Sequence, residues 1–191
     1  MTRGKLIVVS APSGAGKTTL VKAILAAHPG MFFSVSATTR SMRNGEFDGK
    51  DYCFLTREEF ERRIEAGQLV EWEEIYGDLY GTLKSEVEKA LSIGKTMLFD
   101  IDVKGALSIK RHYPRDAILI FIRPPSLEVL KSRLLNRRTE DEEAFKRRLD
   151  RASMELEMAS QFDFQVINDD LRTAVAEVER ILTSMAQPAL R

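Results

Sequence analysis

Residues 10–19 read Ser10-Ala11-Pro12-Ser13-Gly14-Ala15-Gly16-Lys17-Thr18-Thr19 and follow the apolar run Leu6-Ile7-Val8-Val9. The stretch matches the phosphate-cradling pattern G-x-x-x-x-G-K-[ST], except that Ala11 stands in the place of the first glycine. Such a cradle needs main-chain N–H groups converging at a helix N-terminus, with no side chains in the way. Gly14 and Gly16 leave that space, Lys17 can reach β- and γ-phosphates, and the Thr18 hydroxyl can ligate Mg2+. Ala11 precedes Pro12, and a residue before proline is held in extended backbone, which alanine adopts without penalty. The substitution is therefore harmless. Between a strand and a helix, the loop Ala11–Thr19 is expected to hold a nucleoside triphosphate rather than to be an idle glycine-rich turn.

Two further sets of residues could act on such a ligand. Asp100 and Asp102, in Leu98-Phe99-Asp100-Ile101-Asp102, lie at the C-terminal end of an apolar strand, where open α/β sheets collect their ligands. Carboxylates there need a cation or donors: a Mg2+ contact through water for Asp100, hydrogen bonds to a second substrate, or simply solvent in an ordinary turn. Arg40 and Arg43 sit in a polar stretch, SATTRSMRNGE, whose one nearby acid is Glu46, and a bidentate grip on a monophosphate would account for them. Arg133 and Arg137 are four apart and project from one helix face, and Arg148 lies on the following helix. Arg138 and Arg147 read as surface. The intervening NRRTEDEE is a polar hinge suited to closing over a site.

The elements that must position these groups are short. Runs at 5–10, 96–101, 117–122 and 164–168 are apolar on both faces, as buried parallel strands are. Helical patterns fit 17–27, then 56–67 and 85–94 with capping-box spacing at Thr56/Glu59 and Ser85/Glu88, then 127–136 behind Ser126, 141–160 and 170–185. This alternation predicts an α/β fold with a parallel sheet covered on both faces. Residues 33–82 break the rhythm with polar-aromatic stretches at 51–55 and 69–80, and read as an inserted, partly antiparallel subdomain.

Bulk properties narrow the class. The 191 residues suit one domain. Lys+Arg and Asp+Glu are both 29, so no net field recruits nucleic acid or anionic lipid. Cys53 is the only cysteine, which excludes an intrachain disulfide and suits a reducing cytoplasm. The N-terminal apolar run is too short for export, and no stretch approaches the ~18 residues that span a membrane.

Together, SAPSGAGKTT, SVSATTRSMRNGEFDGKDY, Glu71-Trp72, Tyr80-Gly81-Thr82, LFDIDVKGA, FIRPPS, RLLNRRT…KRRL and VINDD resemble the guanylate kinase family over essentially the whole chain. The resemblance implies a P-loop NTPase fold with a five-stranded-type parallel core sheet. One domain would comprise a core (1–32, 83–135 and 149–191), a GMP-binding insertion (33–82) and a lid (about 136–148). It implies reversible phosphoryl transfer from MgATP to GMP, in a monomer or small homo-oligomer. Arg40, Arg43, Tyr52 and Tyr80 match the family's GMP-phosphate ligands. Ser36, Glu71, Thr82 and Asp102 match its guanine-facing positions, and Asp100 an acid at its active centre. Arg133, Arg137 and Arg148 match arginines on the ATP phosphates, and Asn168 lies near the expected adenine. The chain departs from the family at Met42, where proline is usual, at Lys104, where glutamine is common, and at Arg138, where glycine is frequent. Two rival readings are a P-loop kinase for another small phosphorylated acceptor and a non-catalytic guanylate-kinase-like binding module.

Overall fold

In a computed structural model, residues 3–135 and 142–186 are described. The first apolar run becomes β1 (Leu6–Ser10), buried at every position as a strand covered on both faces must be. The loop leads into α1 (Lys17–Ala27), and then β2 (Phe32–Phe33), β3 (Ala37–Thr38) and β4 (Cys53–Phe54) follow as short strands. Next come α2 (Arg57–Glu65), β5 (Leu69–Ile75), β6 (Asp78–Leu83), α3 (Lys84–Ser92), β7 (Met97–Asp100), α4 (Val103–His112) and β8 (Ala117–Arg123). The chain continues through α5 (Leu127–Leu135), α6 (Glu142–Glu157), a 3-10 turn at Met158–Gln161, β9 (Phe164–Ile167) and α7 (Leu171–Ala186). A five-stranded sheet runs in the order β2-β7-β1-β8-β9, and a four-stranded sheet in the order β4-β3-β6-β5. The chain divides into two compact units, Met1–Val8 with Gly30–Ile118, and Val9–Pro29 with Leu119–Arg191.

In the first unit, β2 lies parallel to β7, with Phe32 opposite Met97. The smaller sheet is mixed: β3 is parallel to β4 and antiparallel to β6, which forms a hairpin with β5. That hairpin turns through Tyr76 (φ 54°) and Gly77 (φ 89°), the paired left-handed conformation whose twist suits a two-residue connection. A bulge between Leu69 and Glu71 breaks the register of β5, so Val70 and Glu71 are both buried where simple alternation would bury one. Helix α2 packs Phe60 into this sheet against Ala37 and Leu79, all fully or almost fully buried. Its start carries the expected capping box: the Thr56 hydroxyl accepts from Glu59 N–H, and the Glu59 carboxylate accepts from Thr56 N–H.

The second unit holds the loop, α1, most of β8, then α5, α6, β9 and α7. Strands β8 and β9 are parallel, with Ile120 opposite Phe164. Leu130 and Leu134 of α5 bury against Ala152 of α6. Ser126 begins α5 as its sequence suggests, its hydroxyl accepting from Val129 N–H at 3.2 Å.

One local expectation needs correction, and other elements go beyond what the sequence marked. Ser85 does not cap α3, because β6 runs straight into the helix, Leu83 takes the cap position, and Lys84 N–H donates to Gln68 O at 2.9 Å instead. The polar-aromatic stretch 69–80 falls in two antiparallel strands, divided at Tyr76-Gly77. Strand β2 and helix α4 were not marked by periodicity: the first has two residues, and the second starts directly from the acidic strand end. The lid expected at about 136–148 lies outside the described residues over 136–141, and its remainder is the start of α6.

The Phe60 contact gives a test of this packing. Phe60→Ala should destabilise the fold by about 3 kcal/mol or more, read from the urea midpoint of circular dichroism. An unchanged midpoint would mean that α2 is not packed through this ring.

Candidate active site

In the second unit the loop adopts the backbone that its glycines permit. Gly14 and Gly16 have φ of 88° and 87°, a region that a side chain disfavours. Gly16 is the N-cap of α1, with its carbonyl accepting from Leu20 N–H at 3.2 Å, so the loop delivers its N–H groups onto a helix N-terminus. Ala11, Pro12 and Ala15 are buried; Ser13 and Lys17 are half-buried; Thr18 and Thr19 are exposed on the first helical turn.

Asn168, at the end of β9, holds this loop directly. Its side-chain amide, itself buried, donates to Ala15 O at 2.7 Å. A Cβ on Gly16 would overlap that amide nitrogen, so two independent constraints require glycine there. Both terminal nitrogens of Arg133 donate to Asn168 O at 3.2 Å, which fixes Asn168 from its other side. The Asn168 side chain thus braces the loop, where the sequence suggested only that it lay near adenine. Arg148 is half-buried on α6, while Arg147 is exposed and pairs with Glu143 at 3.5 Å. Arg137 and Arg138 lie outside the described residues. The Ser10 hydroxyl is fully buried and has no hydrogen-bond partner among the described residues.

In the first unit two clusters form. Arg40 donates to both oxygens of Glu46, at 3.0 and 2.8 Å, and to Ser41 O at 2.7 Å. Its guanidinium lies 5.2 Å from the Tyr52 ring centre and 5.7 Å from that of Phe54. Tyr52 meets Tyr80 edge-on at 6.1 Å. The Glu46 bond raises the Arg40 pKa and lowers that of Glu46, while burial raises the Tyr52 phenol. The charge of Asp100, half-buried at the end of β7, also acts on Tyr52. Arg43 joins through its main chain, its N–H donating to Glu46 Oε2 at 2.7 Å. Glu46 therefore ties together the turn around exposed Met42. Ser36 is half-buried on the approach to β3, and its carbonyl accepts from Cys53 N–H at 2.9 Å.

The second cluster centres on Glu71. Thr82, its neighbour across the hairpin, donates its hydroxyl to Glu71 Oε1 at 2.5 Å. Burial pushes the Glu71 carboxyl up to about 7, against the smaller lowering effect of Thr82, and the charge of Glu73 raises it further. Asp102 caps α4, accepting from Gly105 N–H at 2.8 Å. A Cβ on Gly105 would lie 2.8 Å from both Glu71 Oε2 and Asp102 Oδ1, so this glycine lets two carboxylates approach the same point. Lys104 pairs with Glu73 at 3.3 Å, which gives the unusual lysine a partner. Glu71, Glu73, Lys104 and Gly105 line part of a cavity of about 310 Å³.

Sequence reasoning missed Glu46 as the organiser of the arginine turn, and Gly105 as the gap beside Glu71. Glu46 was visible as the one nearby acid. Gly105 gave no signal, because its neighbour Glu71 is more than thirty residues away in the chain.

Comparisons with known proteins agree with one another. The guanylate kinase family profile matches residues 3–185. A guanylate kinase of Chlorobaculum tepidum is 50% identical over 189 residues, spanning 98% of this chain and 97% of its own. One from Salinibacter ruber is 54% identical over 173 residues, spanning 90% and 92%. The crystal structure of guanylate kinase from Anaplasma phagocytophilum superposes with a TM-score of 0.77 at 30% identity, covering 99% of this chain and 89% of that one. A profile matched almost from end to end, and half-identity to relatives of the same length, leave a single assignment: the chain belongs to the guanylate kinase family.

Proposed function

We propose that the protein is a nucleoside monophosphate kinase that reversibly transfers the γ-phosphoryl group of ATP to the phosphate of GMP, giving ADP and GDP. The observation that carries the choice of acceptor is Glu71, a carboxylate buried within a hairpin and bonded by the Thr82 hydroxyl, its residue forming part of a cavity wall. Guanine shows two adjacent donors, N1–H and N2–H2, and an ionised carboxylate is acceptor-only. Adenine would turn its N1 lone pair towards that carboxylate, and a site left with an unpaired buried acceptor rejects such a partner by about 10⁴-fold. Thr82, Ser36 and Asp102 complete the base slot in this reading, and Arg40, Arg43, Tyr52 and Tyr80 take the GMP phosphate.

The acceptor is already an anionic oxygen, so neither a covalent intermediate nor a strong general base is needed. Catalysis then rests on in-line positioning and on neutralising the equatorial oxygens. The N–H groups of the Ala11–Thr19 loop hold the ATP phosphates, and Lys17, Arg133, Arg137 and Arg148 supply positive charge. The family implies Mg2+, which would neutralise charge on the phosphates. The exposed Thr18 hydroxyl suits a cation that keeps most of its water. Among the described residues no three acid, His or Cys groups form a metal cluster, and no helix is long and apolar enough to cross a membrane. Cys53 as a free thiol suits a cytoplasmic setting.

The deciding experiment offers GMP, AMP, UMP and dTMP with MgATP at about pH 8, where Glu71 is mostly ionised. GMP should be the acceptor, and comparable rates with another monophosphate would overturn the assignment. Lys17→Ala should abolish turnover in a coupled assay while GMP still binds, and full retained activity would refute the role given to the loop. Glu71→Ala should weaken GMP more than ATP in calorimetric titration, and equal losses would mean that Glu71 does not read the base.

A further inference from the structure

We propose that Lys104 is a positioning residue for GMP: its ion pair with Glu73 ties the first turn of α4 to β5, and that tie fixes the Glu71 carboxylate. This inference rests on the function proposed above and concerns the same slot. Strand β5 is an edge of the smaller sheet, and α4 packs against it. Glu71 and Glu73 pair with Thr82 and Tyr80 of β6 in unbroken register, so both side chains leave β5 on one face.

The Glu71 carboxylate is set from two sides. The Thr82 hydroxyl donates to Oε1, and Oε2 packs against Gly105, where a Cβ would lie 2.8 Å away. Thr82 is held to β5 by the hairpin ladder itself. The other side is only as well placed as α4 is placed on β5. Helix α4 starts at Asp102, whose side chain accepts from Gly105 N–H, so the cap and the glycine move as one piece. Between them stands Lys104, which turns outward and meets Glu73 with Nζ 3.3 Å from Oε1. The Glu73 side chain is only 17% exposed, so this cation answers a largely buried carboxylate. Any slip of the turn would carry Gly105 and Asp102 together away from Glu71.

A lysine near an anionic substrate has a second way to act, as a positive charge felt directly by GMP. The two roles differ in sign at Glu73. Under direct attraction, deleting Glu73 removes a nearby negative charge and strengthens GMP. Under a tie, deleting either half weakens GMP alike, and deleting the second half after the first costs nothing more.

The test measures kcat, KM for GMP and KM for ATP on the whole protein. The variants are Lys104→Ala, Glu73→Ala, the two combined, and the charge swap Lys104→Glu with Glu73→Lys. Each single alanine change should raise KM for GMP about two- to fivefold. Both kcat and KM for ATP should stay near wild type, because a grip on the base lost equally in ground and transition states appears in KM. The combined alanine variant should be no worse than either single one, and the swap should return KM for GMP to within about twofold of wild type. A lower KM for GMP in Glu73→Ala would overturn the inference, as would an unchanged value in both single variants. Losses that add in the combined variant, or equal rises in both KM values, would do the same. Should the swapped protein fail to fold, the alanine variants decide alone. If the wild-type protein does not phosphorylate GMP, the function proposed above is what has failed.

Discussion

Taking a carboxylate out of water is the constraint around which the smaller sheet is arranged. Glu71 is buried by a bulge that turns two successive residues of β5 inward, and it is given one neutral donor rather than a cation. The folded state therefore binds a proton at this group more tightly than the unfolded chain does. Stability from this site is fullest while Glu71 is protonated in both states. It declines as pH rises from the ordinary carboxylate range towards about 7, and above that the whole desolvation cost is felt. A structural acid would have been given an arginine or exchanged for an apolar residue. Retaining it half-satisfied makes sense where a ligand supplies the missing donors.

The glycine loop at 11–19 solves a related problem with main chain instead of side chain. Consecutive N–H groups have to point the same way, and the left-handed glycines at 14 and 16 allow this. Left to itself such a loop would have alternatives. Asn168 removes them by fastening the Ala15 carbonyl, and Arg133 fastens Asn168. The helix that carries Arg133 is thereby coupled to the loop geometry, through one backbone oxygen and one amide.

Much of this was legible in the chain, for identifiable reasons. Buried strands such as β8 are apolar on both faces and stand out by composition, and the loop is readable because its demands on Gly14, Gly16 and Lys17 are stringent and local. Thr56 and Glu59 announced their helix because both halves of a capping box lie within four residues. Ser85 and Glu88 show the same spacing without the structure, since tertiary pairing of Leu83 settled the helix start first. The relation between Glu71 and Gly105, and that between Asn168 and Gly16, exist only after long stretches of chain come together. No window of sequence contains them, and only the family resemblance pointed to Glu71 and Asn168 at all.

Arg40 rests on Glu46 through two parallel bonds, with aromatic rings around the guanidinium. A phosphate arriving there would enter a seat already filled by an internal surrogate anion, so occupancy becomes an exchange of one oxyanion for another. Weakly accepting ions from solvent gain little by such a swap, whereas a dianion with three oxygens gains more. The released Glu46 also holds the Arg43 main chain, so the incoming group would be reported to the backbone of the turn as well as to the side chain it displaces.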